Sequence, residues 1–147
     1  MAEPRFVFRA AVVLELRRRA DEDAQAALRA ANSALEQAER ELAAARAAVH
    51  EACRRPRGDT IAAEWYRNWM VGLRAAVARL TEQASLRRRA REEALARALT
   101  ARQALRVIER LREKRLRAFE LDRTRREQRR IDELAIGRHA AASGGSS

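Results

Sequence analysis

Between Pro4 and Gly137 the chain has one place where a helix must stop: Arg54-Arg55-Pro56-Arg57-Gly58-Asp59-Thr60. Proline disfavours helix at the residue before it, and glycine permits a left-handed turn. Asp59 or Thr60 can then accept hydrogen bonds from the orphan amides of a following helix. Gly72 lies inside a helical pattern and costs only about 1 kcal/mol relative to alanine. Pro4 suits a first helical turn, and Gly137, after Leu134-Ala135-Ile136, reads as a C-terminal stop. The sequence therefore predicts two helices, 5–53 and 60–137, joined by a turn over 54–59. A disordered tail follows over 140–147, where Ser and Gly accumulate.

Composition supports long helices over a globular core. Of 147 residues 36% are charged and 4% aromatic, and alanine supplies much of the 47% counted as hydrophobic. Five glycines and two prolines are too few for a turn-rich β protein. In the first helix Leu14, Leu28, Leu35, Leu42 and Val49 share one heptad position, interrupted by Asp21. Ala31, Ala38, Ala45 and Ala52 follow three residues after the last four of these. A seam of alternating aliphatic and alanine residues lets two helices approach closely. In the second helix Trp69, Leu73, Ala76 and Leu80 begin a seam continued by Ala90, Ala94, Ala101, Ala104, Ile108 and Leu111. Gln83, Arg87 and Arg97 interrupt it, which predicts weaker pairing there. The expected fold is all-α: two long helices in an antiparallel coiled-coil hairpin, the second helix longer.

At about 1.5 Å per residue the helices span roughly 70 and 115 Å. A fold-back at Pro56–Gly58 lets the first cover the second to about residue 110, leaving roughly 25–30 residues without a partner. It also sets Trp69, Leu73, Ala76 and Leu80 opposite Ala45, Leu42, Ala38 and Leu35.

Charge follows the same division. Through residue 53 there are 8 basic and 9 acidic side chains, whereas residues 85–130 carry 17 and 7, nearly all of the net +11. An arginine-rich helix of this kind is an electrostatic handle for an acidic partner. Glutamates at helical spacing, as in Arg88–Glu92, Glu93–Arg97, Glu113–Arg117 and Arg123–Glu127, break up a uniform cationic stripe. With few aromatic residues interleaved for base stacking, nucleic acid is not the expected partner, although an Arg-rich nucleic-acid-binding coiled coil is an alternative. A homo-oligomeric rod is another.

No catalytic, cofactor-binding or metal-binding set emerges, so the chain is not read as an enzyme. There is no glycine-rich phosphate loop and no paired-cysteine spacing. His50 and His139 are far apart and read as surface histidines. Cys53 reads as a passive residue, and Arg57-Gly58-Asp59 as a coincidental turn. No apolar run approaches the length of a membrane span. Trp65, Tyr66 and Trp69, just after the turn, hold half of the aromatic residues. An alanine-lined facing helix cannot cover three large rings, so part of this cluster is a candidate partner anchor.

Several stretches together resemble the FliJ family, small coiled-coil proteins of the flagellar type III export apparatus. They are Phe6-Val7-Phe8-Arg9 with Val13-Leu14-Glu15-Leu16-Arg17, the aromatic segment after the turn, Leu111-Arg112-Glu113-Lys114-Arg115, and Arg126-Glu127-Gln128-Arg129-Arg130-Ile131-Asp132-Glu133-Leu134-Ala135. The resemblance implies a non-enzymatic stalk, similar to the central shaft of rotary ATPases, whose chain ends enter a hexameric export ATPase. It implies promotion of ring assembly, coupling to the membrane export gate protein and handling of export chaperones. It also implies a cytoplasmic location, with peripheral membrane association through partners alone. Carried onto this sequence, it assigns gate contact to Trp69, Leu73, Ala76 and Leu80. ATPase contact falls to Arg123, Arg126, Arg129, Arg130, Ile131 and Glu133. The stalk of a virulence-type secretion ATPase is the neighbouring alternative.

Overall fold

The structure, a computed structural model, describes residues 2–55 and 60–145. The fold is all-α: helix α1, Ala11–Arg54, packs against the longer helix α2, Thr60–Gly144. Residues 56–59 of the expected turn, including Asp59, one of the two candidate caps, lie outside the described residues. By packing density the chain divides into two units. One is Arg19–Gln103; the other joins the residues through Arg18 to those from Ala104 onward.

In the unit of residues 19–103 the helices run antiparallel in a regular register. Asp21 meets Arg102 and Asn32 meets Arg91, so eleven residues forward on α1 match eleven back on α2. The seam read on α1 is found: Leu42, Ala38 and Ala52 are buried, and Leu28, Ala31, Leu35, Ala45 and Val49 are half-buried. On α2 the deepest line is Met70, Val77, Ala84, Arg91 and Ala98, one heptad apart at each step. This line is displaced from the one that the aliphatic spacing suggests. Ala94 is buried as expected, but Ala90 is exposed. Of the three interruptions, Gln83 is half-buried, while Arg87 and Arg97 point to solvent.

The pairing across the seam is also shifted. Leu80 and Val77 pack on the cluster Ala38–Leu42–Ala84, so Leu80 meets the Leu42 layer instead of Leu35, about one heptad from the simple fold-back. The shift has a steric reason. Ala45, Val49 and Ala52 leave no room for Trp65, Tyr66 and Trp69 to be swallowed within a tight seam. The first turns of α2 therefore sit beyond the end of α1, and Ala52, 1% exposed, is covered at the level of Met70 and Tyr66.

Both helix limits depart from the sequence reading. Instead of starting at residue 5, α1 begins at Ala11, whose amide donates to the Phe8 carbonyl at 3.1 Å. Residues 6 and 8 are half-buried while 5 and 7 are exposed, the two-residue alternation of an extended segment that ends in the turn at residues 9 and 10. Continued helix would turn Phe8 to the outside of the seam; the extended path lets both Phe6 and Phe8 pack on α2. At the other end α2 passes through Gly137 without stopping and reaches Gly144, into the expected tail. Gly137 has ordinary negative φ, and a Cβ there would meet nothing within 4 Å. The helix formers Leu134, Ala135, Ala140, Ala141 and Ala142 carry the helix past it.

Candidate functional site

Two surfaces contain the residues singled out in the sequence, and each belongs to one packing unit. The first lies in residues 19–103, at the hairpin end. Trp65 and Trp69, one turn apart on α2, stack with ring centroids 5.4 Å apart and an interplanar angle of 24°. Tyr66 meets Trp69 edge-on at 6.2 Å, and its hydroxyl donates to the Ala52 carbonyl at 3.0 Å. The Arg55 guanidinium sits 5.3 Å from the Trp69 ring centroid, a cation–π contact. Tyr66 thus fastens α1 to α2 while Trp65 remains 64% exposed. The cluster is core on one side and open surface on the other. Of the gate-contact candidates, Trp69, Leu73, Ala76 and Leu80 are all half-buried along the seam. Gly72, on the same stretch of α2, is exposed, and a Cβ there would find open space.

The second surface lies in the other unit, on α2 from residue 120 onward. Leu105 and Leu14 are buried, Leu111, Leu116 and Phe119 are half-buried, and every residue from 120 to 145 is exposed. All six ATPase-contact candidates fall in that exposed stretch: Arg123, Arg126, Arg129, Arg130, Ile131 and Glu133. Ile131 and Leu134 are 50% and 56% exposed, one turn apart. Several charges here are paired within the chain. Arg126 meets Asp122 at 2.9 Å, Arg130 meets Glu127 at 3.0 Å, and Arg123 reaches Glu3 at 3.0 Å. The expected partner of Arg123, Glu127, is taken by Arg130, and Arg88 turns from Glu92 to Glu39 on α1, 3.5 Å away. Glu93–Arg97 forms at 4.0 Å as the spacing predicts.

A third constellation escaped the sequence reading. Asp21, which looked like a defect in the α1 seam, is 7% exposed and accepts from the Arg102 Nε at 3.0 Å. The Gln25 amide also donates to it at 3.4 Å. Three turns along, the Arg91 Nε donates to the side-chain oxygen Oδ1 of Asn32 at 3.0 Å. Buried polar layers in a coiled coil fix register, because a slip leaves them unpaired. The signal was present in the sequence: Asp21 and Asn32 are eleven residues apart, as are Arg91 and Arg102.

His50, His139 and Cys53 are exposed. Among the described residues no group of three or more His, Cys, Asp or Glu could hold a metal ion, and no helix is long and apolar enough to cross a membrane.

Compared with known families, the sequence matches the one described as Flagellar FliJ protein over residues 7–144. The chain belongs to the FliJ family. It is accordingly a component of the flagellar export apparatus. No curated protein and no solved structure matches it. The matched range covers both helices and both surfaces, so the aromatic end and the exposed basic helix are parts of one FliJ chain.

Proposed function

We propose that this FliJ chain is a non-enzymatic stalk and regulator of the flagellar export ATPase, acting in the cytoplasm. The observation that carries the reading is the exposed run of α2. Residues 120–145 are helical through Gly144, have no helix packed on them, and combine arginines with Ile131 and Leu134. A single helix is thin enough to enter the central opening of a ring, and a helix with apolar side chains in water has surface left to bury against a partner. In this reading Arg123, Arg126, Arg129 and Arg130 supply charge complementarity and speed encounter, while Ile131 and Leu134 supply apolar contact. Glu133 discriminates against an acidic surface at its own position. Binding within the ring favours its assembly by mass action and thereby raises ATP hydrolysis.

The half-buried row Trp69, Leu73, Ala76 and Leu80 is the proposed contact for the membrane export gate, with export chaperones as further partners. Association with the membrane then runs through these proteins. A coupled assay with the purified ATPase tests the central claim. The full chain is expected to stimulate hydrolysis, and a chain truncated before Arg123 to lose that stimulation. Binding without any stimulation overturns it.

A further inference from the structure

The residues before α1 do not merely trail from the helix. Phe6 stacks on Phe119 with ring centroids 5.6 Å apart and a tilt of 55°, and the Arg112 guanidinium lies 5.9 Å from the Phe6 centroid. Glu3 reaches one turn further along α2 to Arg123. Phe8 lines the same groove beside Leu111, Arg115 and Phe119, whereas Val7 is 78% exposed. Residues 3–10 thus form a strap across α2, over the half-buried row Leu111, Leu116 and Phe119.

The strap is lightly held. Its ion pair is solvent-exposed on both sides, and its apolar grip rests on Phe6 and Phe8. Exposed ion pairs and single ring pairs are weak fastenings, readily exchanged for equivalent ones. What it covers is informative. Arg123 is the first of the residues assigned to ATPase contact, and Glu3 occupies its guanidinium. A groove runs from Glu3 and Pro4 along Arg123, Arg126 and Arg130.

We propose that the strap is an internal stand-in for the ATPase. A partner segment that presents a carboxylate to Arg123 and an aromatic or branched apolar side chain to Phe119 displaces Glu3 and Phe6, and the row beneath joins the interface. The inference rests on the stalk reading and adds to it a masked part of the binding surface, together with the chemistry that unmasks it. Because a bound strap lowers the fraction of competent chains, its release tightens binding in proportion.

The test uses the full chain with Phe6→Ala, which changes no charge, and separately with Glu3→Gln. Trypsin cleavage after Arg5 and Arg9 reports the strap, and equilibrium binding to the purified export ATPase reports the surface. Both variants are expected to be cleaved faster than the parent chain and to bind the ATPase about three- to thirtyfold more tightly. Unchanged affinity, with the parent chain binding normally, overturns the masking inference and leaves the stalk reading standing. Weaker binding by Phe6→Ala also overturns it, since the strap would then belong to the contact surface. Unchanged cleavage overturns it because the strap was not released. If neither the parent chain nor the variants bind the ATPase, the stalk reading itself fails and the masking inference falls with it.

Discussion

The paired helical stretches 19–54 and 60–103 and the exposed helical run 120–144 are both rich in alanine and arginine, and differ in what their side chains touch. In the first region alanine is structural. Ala38, Ala52, Ala84 and Ala98 are buried because a methyl group is what two close helices can accommodate. Arginines there are drawn into the seam, Arg102 to Asp21 and Arg91 to Asn32. In the second region the same residue types face water. Helix there rests on propensity and on pairs within the helix, such as Arg126–Asp122 and Arg130–Glu127. The lesson is that composition specifies helix in both regions, while a facing helix turns one of them into a core. A region without that facing helix has its surface available for a partner.

The sharpest way to break this comparison is to enlarge a seam alanine. Ala84→Leu has no room beside Ala38 and Leu42, and it should destabilise the chain by about 1–3 kcal/mol. Thermal unfolding followed by circular dichroism should show a midpoint several degrees lower. An unchanged midpoint would mean that the seam is loose and alanine there incidental. Next in size is Asp21→Ala, which strips Arg102 and Gln25 of their acceptor and should cost about 1–2 kcal/mol. Combining Asp21→Leu with Arg102→Leu should recover most of that loss, because removing both partners leaves no charge unpaired. If the double variant is as unstable as the single one, the pair is not a register lock.

Glycine separates the two regions more finely. Gly72 lies in a packed stretch of helix with open space at its Cβ position, so Gly72→Ala should stabilise by about 0.5–1 kcal/mol. Gly137→Ala, equally free of steric conflict, should raise helicity near the C-terminus while leaving the main melting midpoint in place. The smallest expected effect is that of Leu134→Asp. At 56% exposure with no packed neighbour helix, it should shift stability by less than about 0.5 kcal/mol. It should nevertheless weaken binding to the ATPase. A large loss of stability in the isolated chain would show that Leu134 is buried by self-association, which sedimentation would reveal directly.

Much of the architecture was legible in the residues. One breaker at Pro56–Gly58 and a seven-residue recurrence from Leu14 to Val49 suffice for two long antiparallel helices, and the charge count locates the cationic excess. The register was not legible, because the strongest apolar markers on α2, Trp69 and Leu73, stand beside the deepest line instead of on it. Asp21 looked like a flaw on its own helix, and nothing in α2 alone marks Arg91 and Arg102 as residues of the seam. Their role exists only once the helices face each other. The candidate partner surfaces were legible as types, an aromatic end and an arginine-rich end, but not the ion pairs that occupy Arg123, Arg126 and Arg130.

Helix content, the order of a shorter and a longer helix, and charge were settled by the chain alone, since these depend on local propensity, spacing of residues along one face and the sum of side-chain charges. Tertiary structure decided which seven-residue line is buried, where α1 begins and which arginines are engaged. Those outcomes depend on bulk and distance between segments far apart in sequence: Phe6 against Phe119, Asp21 against Arg102, Asn32 against Arg91. No local rule contains the volume of a side chain that lies a hundred residues away.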